Sequence, residues 1–276
     1  MAKRTNNYED QRLQESNSKI IRWFGFDQFV PEQAVTSYWV SSKTFLLIRV
    51  PILLYTTIVI WTDLGVSAAE GGGSRFFGYF TTLTFVGLHA YIVTSVVHHV
   101  RYLMQSPHRP SSFLDQPAWI NYLYVWLYHT VVTFNIVTPV VYWSLLAGTM
   151  LEDGATPLNW WLTGSVHAVS FFLMMTDMIF GRVKFFIRQV ITVLCTVILY
   201  MFLSFIIHAS TGWWVYPFLD WSNGRFTALW YFAVAIGIVV IFFIQFFFHW
   251  LRDRIALGKP RSSTLDSEAN DIQEKD

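Results

Sequence analysis

Apolar positions in this chain come in long unbroken runs. They show neither the i, i+3, i+4 stripe of a soluble amphipathic helix nor the alternation of a half-buried strand. Six runs are long enough to cross a hydrocarbon layer about 30 Å thick, which takes roughly 20 residues of helix. They lie at Phe45–Thr62, Phe77–Val97, Tyr122–Ala147, Leu158–Phe180, Gln189–Ala209 and Thr227–Trp250. Pro51 is expected to kink the first run. Pro139 sits inside the third, where packed neighbours can re-satisfy the backbone groups that a proline frees. A membrane barrel would alternate apolar and polar residues, and these runs do not. The pattern predicts an all-α, polytopic membrane helix bundle with six transmembrane helices.

Polar sequence frames this domain at both ends. Residues 1–43 read as a polar N-terminal segment, residues 44–250 as the six-span domain and residues 251–276 as a disordered tail. Residues 1–20 and 259–276 are mixed in charge, rich in Ser and Asn and poor in large apolar side chains, so they are expected to lack structure. No apolar stretch of signal-peptide type occurs in residues 1–43.

Composition sharpens the class. Hydrophobic residues make up 54% of the chain and charged residues only 13%, against about 25% charged in soluble domains. That excludes intrinsic disorder and a nucleic-acid binder. Net charge, +1, says nothing about partners; the position of the charges does. Sixteen Lys and Arg residues fall on the face that carries both termini, and only Arg75 and Arg225 fall on the opposite one. Positive charge is retained on the cytosolic side, so both termini are expected to be cytosolic. The class is a multi-pass protein of the endoplasmic reticulum, another endomembrane or the plasma membrane. The single cysteine, Cys195, excludes an intramolecular disulfide and any Cys-rich metal site.

Inside the runs, polar residues become informative. Two formal charges are placed there, Arg49 and Asp177. Charges in lipid are expensive and turn inward to a partner, so a gate or proton site competes with a structural ion pair. Histidines occur at 89, 129, 167 and 208, with His249 at the end of the sixth run and His98, His99 and His108 on the cytosolic side of the second. Adjacent His98 and His99 diverge by about 100° on a helix. Neither they nor the other histidines have the spacing of a di-iron site, and no cofactor or metal is expected. Seven aromatic residues, from Trp160 to Trp230, cluster at the outer ends of the last three runs and suit an interfacial belt.

One pair stands apart. Counting from the outer ends of the second and fourth runs, Thr84 lies about 10 Å deep and His167 about 13 Å deep. A threonine hydroxyl becomes a nucleophile when a base takes its proton, and histidine is the usual base. Matched depth permits that encounter; a packing threonine and a core histidine fit it too. Gly-x-Ser-x-Gly, P-loop, zinc-protease and dinucleotide motifs are absent from the sequence.

Three segments carry a family likeness. Thr211-Gly212-Trp213-Trp214-Val215-Tyr216-Pro217-Phe218-Leu219-Asp220 resembles the Thr-Gly-x-Trp-Val-Tyr-Pro-Phe-Leu signature of the androgen-induced-gene family of multispanning membrane proteins. Leu83-Thr84-Phe85 after Gly71-Gly72-Gly73-Ser74, and Trp161-Leu162 with His167 five residues on, resemble two further segments of it. The likeness spans about residues 45–250. It implies an intramembrane threonine hydrolase that cleaves fatty acid esters of hydroxy fatty acids, a lipid substrate held in the bilayer. It also implies Thr84 as nucleophile and His167 as its partner. Thr163 and Gly164 depart from the family pattern. Thr81 and Thr82 precede Thr84 closely enough to compete for the role. The alternative is a non-catalytic membrane regulator or scaffold.

Overall fold

The structure is a computed structural model that describes residues 13–104, 112–148 and 156–258. Residues 1–12, the loop around His108 and the tail 259–276, about which the sequence raises expectations, lie outside the described residues. A short helix, α1 (Lys19–Phe24), is followed by six helices long and apolar enough to cross a membrane. These are α2 (Ser42–Ala69), α3 (Phe80–Leu103), α4 (Ala118–Leu146), α5 (Pro157–Phe180), α6 (Ile187–Thr211) and α7 (Arg225–Leu257). The chain folds as an all-α, multi-pass membrane bundle, and no strand occurs among the described residues.

Local chemistry sets the helix ends. Ser41 caps α2 by accepting the Thr44 N–H at 3.2 Å, and Thr156 caps α5 through Asn159 with Pro157 in the first turn. At the end of α5, a Cβ on Gly181 would lie 2.8 Å from the Asp177 carbonyl, so only glycine fits there. Gly212, at φ 70°, ends α6 in the left-handed conformation.

Helix α4 occupies the centre and packs on α3, α5, α6 and α7. Its inward residues, Tyr124, Tyr128, Val131, Val132 and Val137, belong to the main core with Leu88, Tyr91, Ile92, Met174 and Phe242. Helix α6 stands at the edge and turns most of its surface outward.

Arg49 and Asp177 meet in this core. Both are buried, and the pair is two-pronged, with Arg49 Nε donating to Asp177 Oδ1 at 2.6 Å and Nη2 to Oδ2 at 3.2 Å. Tyr91 donates its hydroxyl to Oδ2 at 2.7 Å. Arg49 Nη1 donates to the Ala34 carbonyl at 2.7 Å, and its guanidinium lies 4.0 Å from the centre of the Phe45 ring. His99 completes the set. Ser42 donates to the Val35 carbonyl at 2.7 Å, so it accepts from His99 Nε2 at 2.8 Å. That leaves Nδ1 unprotonated, facing Arg49 Nη1 at 3.4 Å. The structural ion pair is therefore what the fold contains.

Two terminal expectations change. Residues 13–20, expected to lack structure, are ordered, and the whole stretch 13–41 docks beneath the bundle. Ala34 and Val35 are buried, Phe29 packs on Phe113 and Tyr124, and Trp39 Nε1 donates to the Ile179 carbonyl at 2.8 Å. Even Leu13, within the stretch expected to lack structure, is buried. Helix α7 continues to Leu257, past the expected end at Trp250. The reason is Arg252, which is buried and donates to the Met178 and Val183 carbonyls, each at 2.9 Å. Free carbonyls at the end of α5 demand a donor, and an extra turn of α7 supplies it.

The ion pair makes a stability prediction. Removing one partner strands a buried charge and costs about 3–5 kcal/mol, whereas replacing both by apolar residues is close to neutral. Asp177→Leu should lower the melting temperature in detergent sharply, and Arg49→Leu combined with Asp177→Leu should recover most of the loss. Equal melting temperatures for the single and double variants would contradict the coupling.

Candidate site at the outer ends of the helices

The conspicuous Thr211–Asp220 segment is the loop from α6 to α7, and it folds back over the start of α3. Helix α3 begins at Phe80, after a short 3-10 turn over Gly73–Gly78, and no side chain of its own caps it. Tyr216 does this instead. Its phenol oxygen accepts the Phe80 N–H at 3.0 Å and adjoins the backbone and hydroxyl of Thr81 and the phenol of Tyr200. Tyr200 in turn donates to the Gly78 carbonyl at 3.0 Å. Burial pushes the Tyr216 phenol up, which keeps it protonated. Trp213 closes the same corner: a Cβ on Gly78 would lie 3.3 Å from the Trp213 ring, and the Arg75 guanidinium sits 4.9 Å from it. Asp220, at the far end of the loop, is half-buried and held below the usual carboxylate range by the Ser222 N–H.

Behind this loop lies an apolar chamber of about 340 Å³ between the outer halves of α4, α6 and α7. Phe80, Val137, Met201, Leu219 and Ile238 line it, and Thr81, Thr138, Tyr142 and Tyr216 belong to the same, almost wholly apolar wall. Ile198 and Phe232 belong to the same wall and are exposed on the outer surface of α6 and α7, so the chamber opens sideways toward lipid.

Helices α4 and α5 are each interrupted by a π turn near this chamber, at Tyr142–Leu146 and Ser165–Val169. Such turns recur at functional sites. Tyr142 from one turn stacks on His167 from the other, with ring centres 3.7 Å apart. Trp143 Nε1 donates to the His167 carbonyl at 3.0 Å, satisfying a group displaced from the regular helical ladder. His167 Nδ1 pairs with the Thr163 carbonyl at 3.0 Å. A carbonyl only accepts, so Nδ1 carries the proton and Nε2 holds the lone pair of a base. No described residue hydrogen-bonds Nε2.

The threonines divide between two cavities. Thr84 lies about 6 Å from the start of α3, nearer the outer end than the run of apolar residues implied, because the helix begins three residues later. It is buried, its hydroxyl donates to the Phe80 carbonyl at 2.9 Å, and it walls a separate cleft with Trp126, Thr130 and Thr196. Thr82 is buried as well. Thr81 walls the outer chamber beside Tyr216. No hydrogen bond joins Thr84 to His167.

The remaining histidines have local structural partners. His89 pairs with Thr56 at 3.0 Å, and His129 accepts the Phe186 N–H at 2.9 Å. His249 pairs with Tyr128 at 2.6 Å, and His208 stacks on Trp214 at 3.9 Å. Among the described residues no group of three or more His, Cys, Asp or Glu side chains converges as metal ligands would. Sequence reasoning missed both the Tyr216 cap and the π turns. A tyrosine in a family-like loop signals nothing about the helix it caps, and no residue type marks a π turn.

The cap is testable. Tyr216→Phe removes the acceptor for the Phe80 N–H, a loss of about 1 kcal/mol by the usual worth of a helix cap. Amide exchange at residues 80–82 should then speed up about fivefold, with exchange in α5 unchanged. Unaltered exchange would mean that the loop does not hold α3.

No protein-family model matches this chain, and neither any curated protein nor any solved structure does, so its site stands on its own geometry.

Proposed function

We propose that this protein is an intramembrane hydrolase acting on a lipid ester of the fatty acid ester of hydroxy fatty acid type. The outer chamber carries the reading. It is apolar, large enough for part of an acyl chain and open toward the lipid between α6 and α7, with Thr81 and Tyr216 in its wall and His167 stacked on Tyr142, which also lines it. The sequence resemblance to membrane threonine hydrolases supports the same chemistry. We take Thr81 over Thr84 as nucleophile, since Thr81 lines the chamber beside the Tyr216 phenol while Thr84 lines the other cleft with its hydroxyl bound to its own helix.

In the mechanism, the threonine oxygen attacks the ester carbonyl as His167 Nε2 takes its proton. The carbonyl oxygen becomes an oxyanion, for which the protonated Tyr216 phenol is the nearest donor to Thr81. Collapse expels the hydroxy fatty acid as its alkoxide, which takes the proton back from His167. Water then attacks the acyl-threonine, with His167 again accepting the proton, and the fatty acid leaves as the threonine hydroxyl is restored. His167 must close on the threonine once substrate fills the chamber, because catalytic hydrogen bonds tighten in the substrate complex. This chemistry uses no cofactor.

A second reading, a non-catalytic membrane regulator or scaffold, draws on local bonding: the Thr84 hydroxyl and His167 Nδ1 each pair with a carbonyl of their own helix. Turnover of a long-chain ester by purified protein separates the two. General-base catalysis is worth about 10²–10⁴-fold, so His167→Ala and Thr81→Ala should each lose at least that lower factor with unchanged melting temperature. Thr84→Ala should retain activity within a few-fold. Loss with Thr84→Ala and retention with Thr81→Ala would move the nucleophile one turn inward. Indifference to all three would leave the regulator reading.

Orientation belongs to this proposal. Six spans and the sixteen-to-two distribution of basic residues support a reading with both termini in the cytosol and the chamber toward the opposite leaflet. Protease added to sealed microsomes should remove epitopes fused at either end. Protection of both ends would reverse the assignment of inner and outer faces, and protection of one end would mean that one of the six helices, with Phe45–Thr62 the first suspect, does not cross.

A further inference from the structure

Helix α1 has no role in the chamber, yet it is firmly placed. The Phe24 carbonyl accepts from Gln189 Nε2 at 3.0 Å, and the Trp23 carbonyl accepts from Arg188 Nη1 at 2.9 Å. Gly25, at φ 75°, then turns the chain beneath the bundle in the left-handed conformation that favours glycine, with Phe186 packed against it. These bonds fix α1 beside the first turn of α6, at the level where that span leaves the hydrocarbon.

Its outward side chains do not suit water. Ile20 is 68% exposed and Trp23 46% exposed, and the neighbouring outer face of α6 shows Ile187 and Ile191 at 48% and 43%. The lipid-facing surface of α6 therefore continues onto α1. Cations surround it: Lys19 and Arg22 on α1, and Lys184 and Arg188 on the adjoining loop and first turn of α6, with the Arg188 guanidinium 5.2 Å from the Trp23 ring centre. Two acids lie close by. Glu15 faces Arg22 at 3.6 Å, and buried Asp27 accepts the Ser16 N–H at 3.1 Å. The patch keeps an excess of positive charge.

An apolar pair ringed by lysine and arginine is the composition of a helix lying in the headgroup layer. We infer that α1 is an interfacial anchor which binds the acidic phospholipid headgroups of the leaflet it faces. Ile20 and Trp23 enter the acyl boundary while Lys19, Arg22, Lys184 and Arg188 hold the phosphates. Six residues are too few to bind a membrane alone; the hydrogen bonds to α6 supply the orientation in advance. This inference rests on the membrane-spanning fold and not on the hydrolase reading.

The test uses the full chain with Cys195→Ser and an environment-sensitive fluorophore on Ile20→Cys. The protein is reconstituted in nanodiscs of phosphatidylcholine, or of phosphatidylcholine with 30% phosphatidylserine, each containing a shallow doxyl-lipid quencher. Quenching should be at least twofold stronger in the acidic bilayer, and 0.5 M salt should reduce it to the neutral level, since such attraction falls off within a Debye length. Lys19→Glu with Lys184→Glu, both at exposed positions, should abolish the difference while turnover and melting temperature stay unchanged. Equal quenching in the two bilayers, or a difference that survives salt, would overturn the inference. The salt arm uses no charge variant, so misfolding of the double variant cannot mask the result.

Discussion

The Arg49–Asp177 pair is the constraint around which the bundle is arranged. Neither charge survives alone in a hydrocarbon-like interior, so α2 and α5 must present them to each other. The pair is then saturated by Tyr91 from α3 and the Ala34 carbonyl from the N-terminal segment, with the Phe45 ring of α2 itself over the guanidinium. His99 is drawn in as a neutral acceptor by the Ser42 bond. One guanidinium thus fixes the mutual positions of three spans and explains why residues 13–41 fold beneath the bundle instead of trailing from it.

The termini of the helices show the same accounting of polar groups. Arg252 closes the end of α5 by donating to two carbonyls, and His129 accepts the Phe186 N–H in the following loop. On the opposite face Tyr216 caps α3. In each case a backbone group outside the helical ladder meets a side chain from another helix or loop, as polar backbone in an apolar setting requires. The outer loop is therefore held by its own chemistry and roofs a chamber that the spans alone would leave open.

That arrangement shapes the candidate chemistry. The two π turns rotate Tyr142 and His167 into stacking contact at the edge of the chamber, and Tyr216 brings its phenol beside Thr81. The α6 span, the least buried of the six, borders the lateral opening toward lipid.

Much of this was legible in the amino-acid order. Runs of apolar residues long enough to span a bilayer gave six helices, because hydrophobic length is a one-dimensional property. The cost of a charge in lipid picked out Arg49 and Asp177 as partners before any contact was known. Depth counting was coarser: a 3-10 turn displaced the start of α3 by three residues, and Arg252 extended α7 past Trp250. The tertiary structure alone decided which threonine faces which cavity, since Thr81 and Thr84 differ by one helical turn and their surroundings belong to α4, α6 and the outer loop. It alone placed Tyr216 on α3, 136 residues away in sequence, and folded residues 13–41 against the core. Span number follows from the local free energy of transfer into lipid; the partners of each polar group follow from which helices touch, and contact is a property of three dimensions.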